Sequence, residues 1–319
     1  MSIDVSEESV ARVGAARLFC EGRISFGLTL PVGVFDAHDV DYAAQVRLAK
    51  LAESHGFDAL WVRDVPLNNE GYPDPVGHLD PWVLLGALAT HTQSITLVTG
   101  AIVLTLRHPL HIAKGAVSVA ALSGGRFVLG LGSGDRPPEF AAFGRDTEAR
   151  RELFRANWER VEAALAPTPV VIPDIEADPP TTFELRPRAP APVPMLSVGS
   201  SGQSVDWIAR HSIGWATYHR PPAAQHDRHA MWRAAVKRAA PDAFRSFSVA
   251  MRVELVDQAD APAEPIELGY RAGRRALRDV LSEVQEMGAH HVTFNLHAQS
   301  RPTEEVIEEL ARDILPMRG

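Results

Sequence analysis

Three groups of residues in this 319-residue chain have types and spacings that suit chemistry. The run Leu196-Ser197-Val198-Gly199-Ser200-Ser201-Gly202-Gln203-Ser204 leads straight into a stretch with helical spacing. Glycines and small hydroxyl residues at a helix N-terminus leave free N–H groups aimed outward, and with the helix dipole these suit a phosphate. A single serine would serve as an N-cap beside a flexible turn. Ser200, Ser201 and Ser204 around Gly199 and Gly202 exceed that need. A second group, Gly130-Leu131-Gly132-Ser133-Gly134, is spaced G-x-G-x-G and runs on into Asp135-Arg136-Pro137-Pro138. The dinucleotide fingerprint is G-x-G-x-x-G opening directly into a helix, so this match is weak. Its glycines better suit close approach of the backbone to a flat ligand. The third group is the cations Arg63, Arg107, His108, Arg136 and Arg220, with Asp64 and Asp135 beside two of them. Their guanidinium groups either form structural salt bridges or bind an anion and stabilise negative charge.

The elements that must position these groups alternate along the chain. Strand-like runs are expected at 24–30, 57–62, 94–104, 126–131, 194–198, 214–218, 247–256 and 291–296. Helical spacing is expected at 42–55, 81–91, 109–122, 147–165, 205–211, 223–239, 267–287 and 303–315. Residues 167–194 hold nine of the 24 prolines, which marks a surface excursion between the fourth and fifth units. Eight strand–helix units imply parallel pairing with right-handed crossovers, and in about 290 residues they fit a closed (β/α)8 barrel. The division expected is an N-terminal extension, 1–23, followed by one barrel domain, 24–319. The extension has weak helical spacing (Val5, Val10, Val13, Leu18) and reads equally as a cap on one end of the barrel or as a tail. In such a barrel the site lies at the C-terminal ends of the strands, where all three groups fall, with Tyr218 at the end of the sixth.

Composition narrows the partners. The formal charge of −8 disfavours nucleic acid and anionic membrane surfaces, though not a local anion site. One cysteine, Cys20, rules out an internal disulfide and Cys-based zinc sites. With no apolar run of signal-peptide or membrane-spanning length, the expected location is the cytoplasm.

Phe26-Gly27, Gly56-Phe57-Asp58-Ala59-Leu60-Trp61, Arg107-His108-Pro109, Leu122-Ser123-Gly124-Gly125-Arg126-Phe127, Glu139-Phe140 with Phe143-Gly144, and Gly214-Trp215 occur in an order that resembles the bacterial-luciferase-like flavin-dependent monooxygenases. The likeness is strongest to a branch carrying Arg-Asp-Val-Pro-Leu (63–67), Leu-Arg-His-Pro-Leu (106–110) and Ser-Gly-Asp-Arg-Pro (133–137). The resemblance implies reduced FMN (FMNH2) from a separate NAD(P)H:flavin reductase, O2 as oxidant, a small organic substrate and a homodimer. Relatives that use the deazaflavin F420 for hydride transfer imply an alternative, a dehydrogenase or reductase. A third reading is a non-catalytic flavin-binding partner barrel. Carried over by position, the resemblance implies a non-prolyl cis peptide at Gly100–Ala101 beneath the flavin ring. It places Ser201 and Ser204 on the phosphate, with Ser133 and Gly134 close by. Asp64, Arg107, His108 and Arg136 are the candidate catalytic residues. Many relatives carry a histidine acid/base where this chain has Val65, so proton handling falls to Asp64 or solvent.

Overall fold

The computed structural model describes residues 14–34, 38–68, 75–167, 170–171, 182–296 and 300–318. Its first half runs α1 (Ala15–Leu18), β1 (Ser25–Leu30), α2 (Tyr42–Ser54), β2 (Ala59–Val62), α3 (Pro81–His91), β3 (Thr96–Thr99), β4 (Ile102–Val103), α4 (Pro109–Leu122), β5 (Phe127–Gly132), α5 (Pro137–Ala142) and α6 (Arg150–Leu165). A two-stranded ribbon, β6 (Val170–Val171) with β7 (Thr182–Phe183), lies in the proline-rich excursion. The second half is β8 (Met195–Val198), α7 (Val205–His211), β9 (Gly214–Tyr218), α8 (Pro222–Ala239), β10 (Ser246–Leu255), β11 (Glu264–Ile266), β12 (Gly269–Ala272), α9 (Arg274–Glu286), β13 (His291–Asn295) and α10 (Thr303–Asp313).

Eight strands close into a ring in the order β1-β2-β3-β5-β8-β9-β10-β13, every step parallel, and β13 pairs back onto β1. Helices begin where the chain supplies caps. Asp41, Asp80 and Ser204 accept from backbone N–H groups in the first turns of α2, α3 and α7, and Pro81 and Pro109 stand at helix starts.

Two expectations need correction. The third strand is not continuous over 94–104. Val98 pairs with Val128 and Ile102 with Leu131, so residues 99–101 face only 129–130, which is a one-residue bulge. The cis peptide Gly100–Ala101 lies in this bulge. The helix expected over 267–287 starts only at Arg274. Residues 264–272 instead form the hairpin β11–β12, because Gly269–Ala272 pairs in parallel with Arg252–Leu255 on the extended end of β10. Leu268, with φ of 62°, makes its turn.

Alternation along each strand divides the core. Phe26, Leu28, Leu60, Leu97, Leu129, Phe247, Val249, Val292 and Phe294 join the cluster that meets the helices. Ala59, Trp61, Val98, Val128, Leu196 and Ala216 face inward, and Leu18 and Phe19 join them to plug the N-terminal end of the barrel. Part of the extension therefore caps the barrel; residues 1–13 lie outside the described residues. Two family motifs serve this end. Asp58 accepts from the Phe26 N–H at 2.9 Å and pairs with Arg318, tying β2 to β1 and to the C-terminal turn. Arg126 donates to the carbonyls of Ala89, Thr92, Ile95 and Ser123, which satisfies orphan carbonyls after α3. Among the described residues no helix is long and apolar enough to cross a membrane.

Three buried histidines are neutral for the same reason. Burial lowers His219 and His229 to about 4, and His291 to about 3. The unfolded chain takes up these protons near 6.5, so below that pH it binds more protons than the native state. Stability contributed by the neutral rings is complete above 6.5 and declines as pH falls towards 4. Urea unfolding between pH 7.5 and 5 is expected to show that decline, approaching about 1.4 kcal/mol per pH unit for each histidine that stays neutral. Constant stability across the window would contradict the assignment.

Candidate active site

The two faces of the strands diverge towards their C-terminal ends. Along β10 the outward residues Val249, Met251, Val253 and Leu255 are buried, whereas Ala250, Arg252 and Glu254 on the other face are partly open. Thr29 on β1, Asn295 on β13, Val198 on β8 and Tyr218 on β9 repeat the pattern. Together they line a solvent-reached cup at the C-terminal end of the barrel. Its wall is low on one side because glycine recurs there. A Cβ on Gly132 would lie 3.2 Å from that of Ala101, and one on Gly130 would lie 1.9 Å from the Thr99 carbonyl oxygen. Thr99 fixes this wall by donating to Gly130 O and accepting from Gly130 N, both at 2.7 Å.

At the end of β8 the chain turns through Gly199 (φ 71°), Ser201 (φ 51°) and Gly202 (φ 71°) before α7. Gln203 locks the turn by donating to the carbonyls of Arg151 and Ser201 and accepting from Arg155. Ser204 caps α7 by accepting from Trp207 N, so its hydroxyl already has a structural partner. Ser201 differs: its residue is buried and its hydroxyl oxygen has no hydrogen-bond partner. An orphaned buried hydroxyl costs stability unless a ligand or water satisfies it. Set between two glycines in a locked turn, it fits the phosphate of a cofactor.

The candidate cations are not equivalent. Asp64 has a side chain 1% exposed and accepts from Val103 N at 3.0 Å and from Nε and Nη2 of Arg107 at 2.8 Å each. Arg107 reaches on to Asp80 at 2.8 Å. Burial opposes the charge on Arg107, but the two carboxylates outweigh it and hold the guanidinium above the ordinary arginine range. This bidentate pair joins β2, the β4–α4 loop and the start of α3. His108 is exposed and caps α4 by accepting from Leu110 N, so it marks a helix start. Arg136 is buried, 3.8 Å from Glu139, and donates to Leu67 O. Burial raises the Glu139 carboxyl above the usual range, against the pull of Arg136. Arg220 is exposed. Val65, at the position where relatives carry a histidine, is buried.

The structure thus brings Gly100, Ala101 and Tyr218 to the wall or rim of one cup, with Gly199, Ser200, Ser201, Gly202 and Ser204 on the turn after β8, while Ser133 and Gly134 follow β5 and a Cβ on Gly134 would meet Val103 and Phe140. Asp64 and Arg107 lie behind the wall, and His108 stands apart on the outer surface. Sequence reasoning missed the inward residues Thr29, Trp61, Arg252, Thr293 and Asn295. Their signal was available: each is a polar or aromatic residue at alternate positions in a run that reads as continuously apolar.

A family model described as luciferase-like monooxygenase matches residues 24–315. An uncharacterised protein of Mycobacterium tuberculosis is 33% identical over 193 residues, covering 53% of this chain and 65% of its own length. The chain therefore spans just under two thirds of that relative. An F420-dependent glucose-6-phosphate dehydrogenase of Amycolatopsis mediterranei is 36% identical over 122 residues, covering 37% of this chain and 35% of its own. Among solved structures, the oxygenating constituent of 3,6-diketocamphane monooxygenase from Pseudomonas putida, in complex with FMN, superposes with a TM-score of 0.70. It is 14% identical, over 92% of this chain and 98% of the other, and so carries the fold alone. With a closed eight-stranded parallel barrel and a family match over nearly all of it, this chain belongs to the luciferase-like monooxygenase family.

Proposed function

We propose that the protein is a flavin-dependent oxidoreductase, a monooxygenase that binds reduced FMN in the cup and oxidises a small organic substrate with O2. The observation that carries the cofactor reading is the buried, unpartnered hydroxyl of Ser201 in the glycine turn after β8. Reduced flavin, when bound, supplies the electrons that activate O2. The chain's own part is to bind, orient and exclude water. Ser201, the Gly199–Gly202 backbone and Ser200 hold the phosphate, with Ser133 and Gly134 beside it. Gly100 and Ala101 would form the surface against the ring, and Tyr218, exposed at the end of β9, would border it. Arg136 contributes positive charge behind the wall. Asp64 and Arg107 act as positioning residues, since their hydrogen bonds fix the bulge that presents Gly100–Ala101. With Val65 in the histidine position, solvent entering the cup handles the proton.

The Pseudomonas protein is the oxygenating constituent of its monooxygenase, which supports a separate NAD(P)H:flavin reductase as partner here. A homodimer in the cytoplasm completes the reading. A second reading, hydride transfer with F420, is favoured by the identity to the F420-dependent dehydrogenase.

Titration with FMN, FMNH2 and F420 separates the two. Tighter binding of FMNH2 than of F420 is expected, and F420 binding without FMN binding would overturn the choice. Ser204→Ala, which removes the α7 cap, is expected to lower stability, whereas Ser201→Ala is expected to weaken FMN binding about tenfold. Unchanged affinity would remove the phosphate assignment. Asp64→Ala is expected to cost about 3 kcal/mol of stability in urea unfolding, because it leaves Arg107 and the Val103 N–H short of a buried acceptor. A loss below about 1 kcal/mol, within the range of a surface ion pair, would count against its positioning role.

A further inference from the structure

A chain of hydrogen bonds runs down the barrel axis from the cup to the N-terminal plug. The indole of Trp61 lies directly behind the Gly100–Ala101 peptide: a Cβ on Gly100 would stand 2.5 Å from Trp61 Cε3. Trp61 Nε1 lies 2.9 Å from Nε2 of His291, and the two rings are near-parallel, inclined by 17° with centroids 5.5 Å apart. His291 presses on Gly27, where a Cβ would meet its ring at 3.1 Å, and Phe19 closes on it edge-first. Its Nδ1 is 2.7 Å from Ser25 Oγ, which lies 2.6 Å from Leu18 O.

The direction of every bond follows from chemistry. An indole N–H only donates, so Nε2 of His291 accepts. His291 is neutral, since complete burial lowers it to about 3, and its one proton therefore sits on Nδ1. Nδ1 donates to Ser25 Oγ, and the serine hydroxyl donates to Leu18 O, with His290 O a second, longer acceptor at 3.2 Å. Each group has its partner, and no side chain in the series is free to rotate.

We infer that His291 and Ser25 are positioning residues for the cofactor site, holding Trp61 as the backing of the Gly100–Ala101 wall, and that the segment around Leu18 is the far end of this support. The inference rests on the reading that the cup binds a flavin. It gives the Phe-Gly pair in β1 a purpose, because a Cβ at 27 would crowd the Ala59 carbonyl oxygen at 2.9 Å and the His291 ring at 3.1 Å. It also gives the N-terminal plug a role at a distance. Losing the Leu18 acceptor leaves the Ser25 hydroxyl only the longer contact to His290 O at 3.2 Å, which loosens its hold on Nδ1 of His291.

His291→Leu, His291→Gln and Ser25→Ala test this by FMN titration and by the indole N–H resonance of Trp61, assigned with Trp61→Phe. Glutamine can accept from the indole and donate to Ser25, whereas leucine can do neither. His291→Leu and Ser25→Ala are expected to shift the Trp61 resonance and to weaken FMN binding about tenfold, with His291→Gln restoring most of the affinity. Should His291→Leu fail to fold, Ser25→Ala carries the same comparison. Wild-type FMN binding with unchanged affinity in folded Ser25→Ala and His291→Leu overturns the inference and leaves the flavin reading standing. A wild-type protein that binds neither FMN nor F420 overturns the flavin reading and this inference with it, although the Trp61 resonance would still respond to the substitutions.

Discussion

Closure of the sheet between β1 and β13 is the constraint from which the rest of the architecture follows. The pairing of Ser25 with His291 and Gly27 with Thr293 fixes which residues of both strands face inward. A slip of one residue would turn Val292 and Phe294 of β13 into the barrel while Phe26 and Leu28 stayed outside. With the register set, the lower interior fills with Ala59, Val98, Val128, Leu196 and Ala216 over Leu18 and Phe19. The upper interior cannot fill in the same way, because glycine stands at 100, 130 and 132. The cup is the consequence of small residues at inward positions on adjacent strands.

Charge is handled in layers around that cup. The chain is acidic overall, yet arginines gather at the strand ends, and several are spent on structure. Arg107 is held by Asp64 and Asp80, Arg126 by four carbonyls, and Arg252 reaches Glu267 at 3.1 Å. A buried pair such as Asp64–Arg107 adds little net stability over an apolar substitute, but deleting one member is costly. Its value is geometric. It fixes the β2 end, the β4–α4 loop and the α3 start relative to one another, and the bulge at Gly100–Ala101 lies between them.

Much of this was legible in the chain. The barrel followed from eight alternating units, and the glycine turn at 199–204 from serines in excess of what a cap requires. The bulge in the third strand was hidden because Thr-Gly-Ala-Ile-Val scans as uninterrupted β-branched and small residues. Residues 267–272 read as the start of a helix because Glu-Leu-Gly-Tyr-Arg-Ala has no strong local preference. Their pairing partner, β10, is what makes them strand, and that is a tertiary effect. The role of Asp64 was also invisible, since composition cannot distinguish a carboxylate bonded behind a wall from one facing a ligand, whereas His108 before Pro109 already marked a helix start. Trp61, His291 and Ser25 lie 36 to 266 residues apart in sequence and meet only through closure.

The central claim is that the cup binds FMN with its phosphate at the glycine turn and its ring against the bulge. A crystal structure of the protein with FMN bound tests it most directly. The account requires the phosphate within hydrogen-bond distance of Ser201 and the ring packed on Gly100–Ala101, with Trp61 behind it. FMN seated elsewhere, or with its phosphate away from residues 199–204, would contradict it.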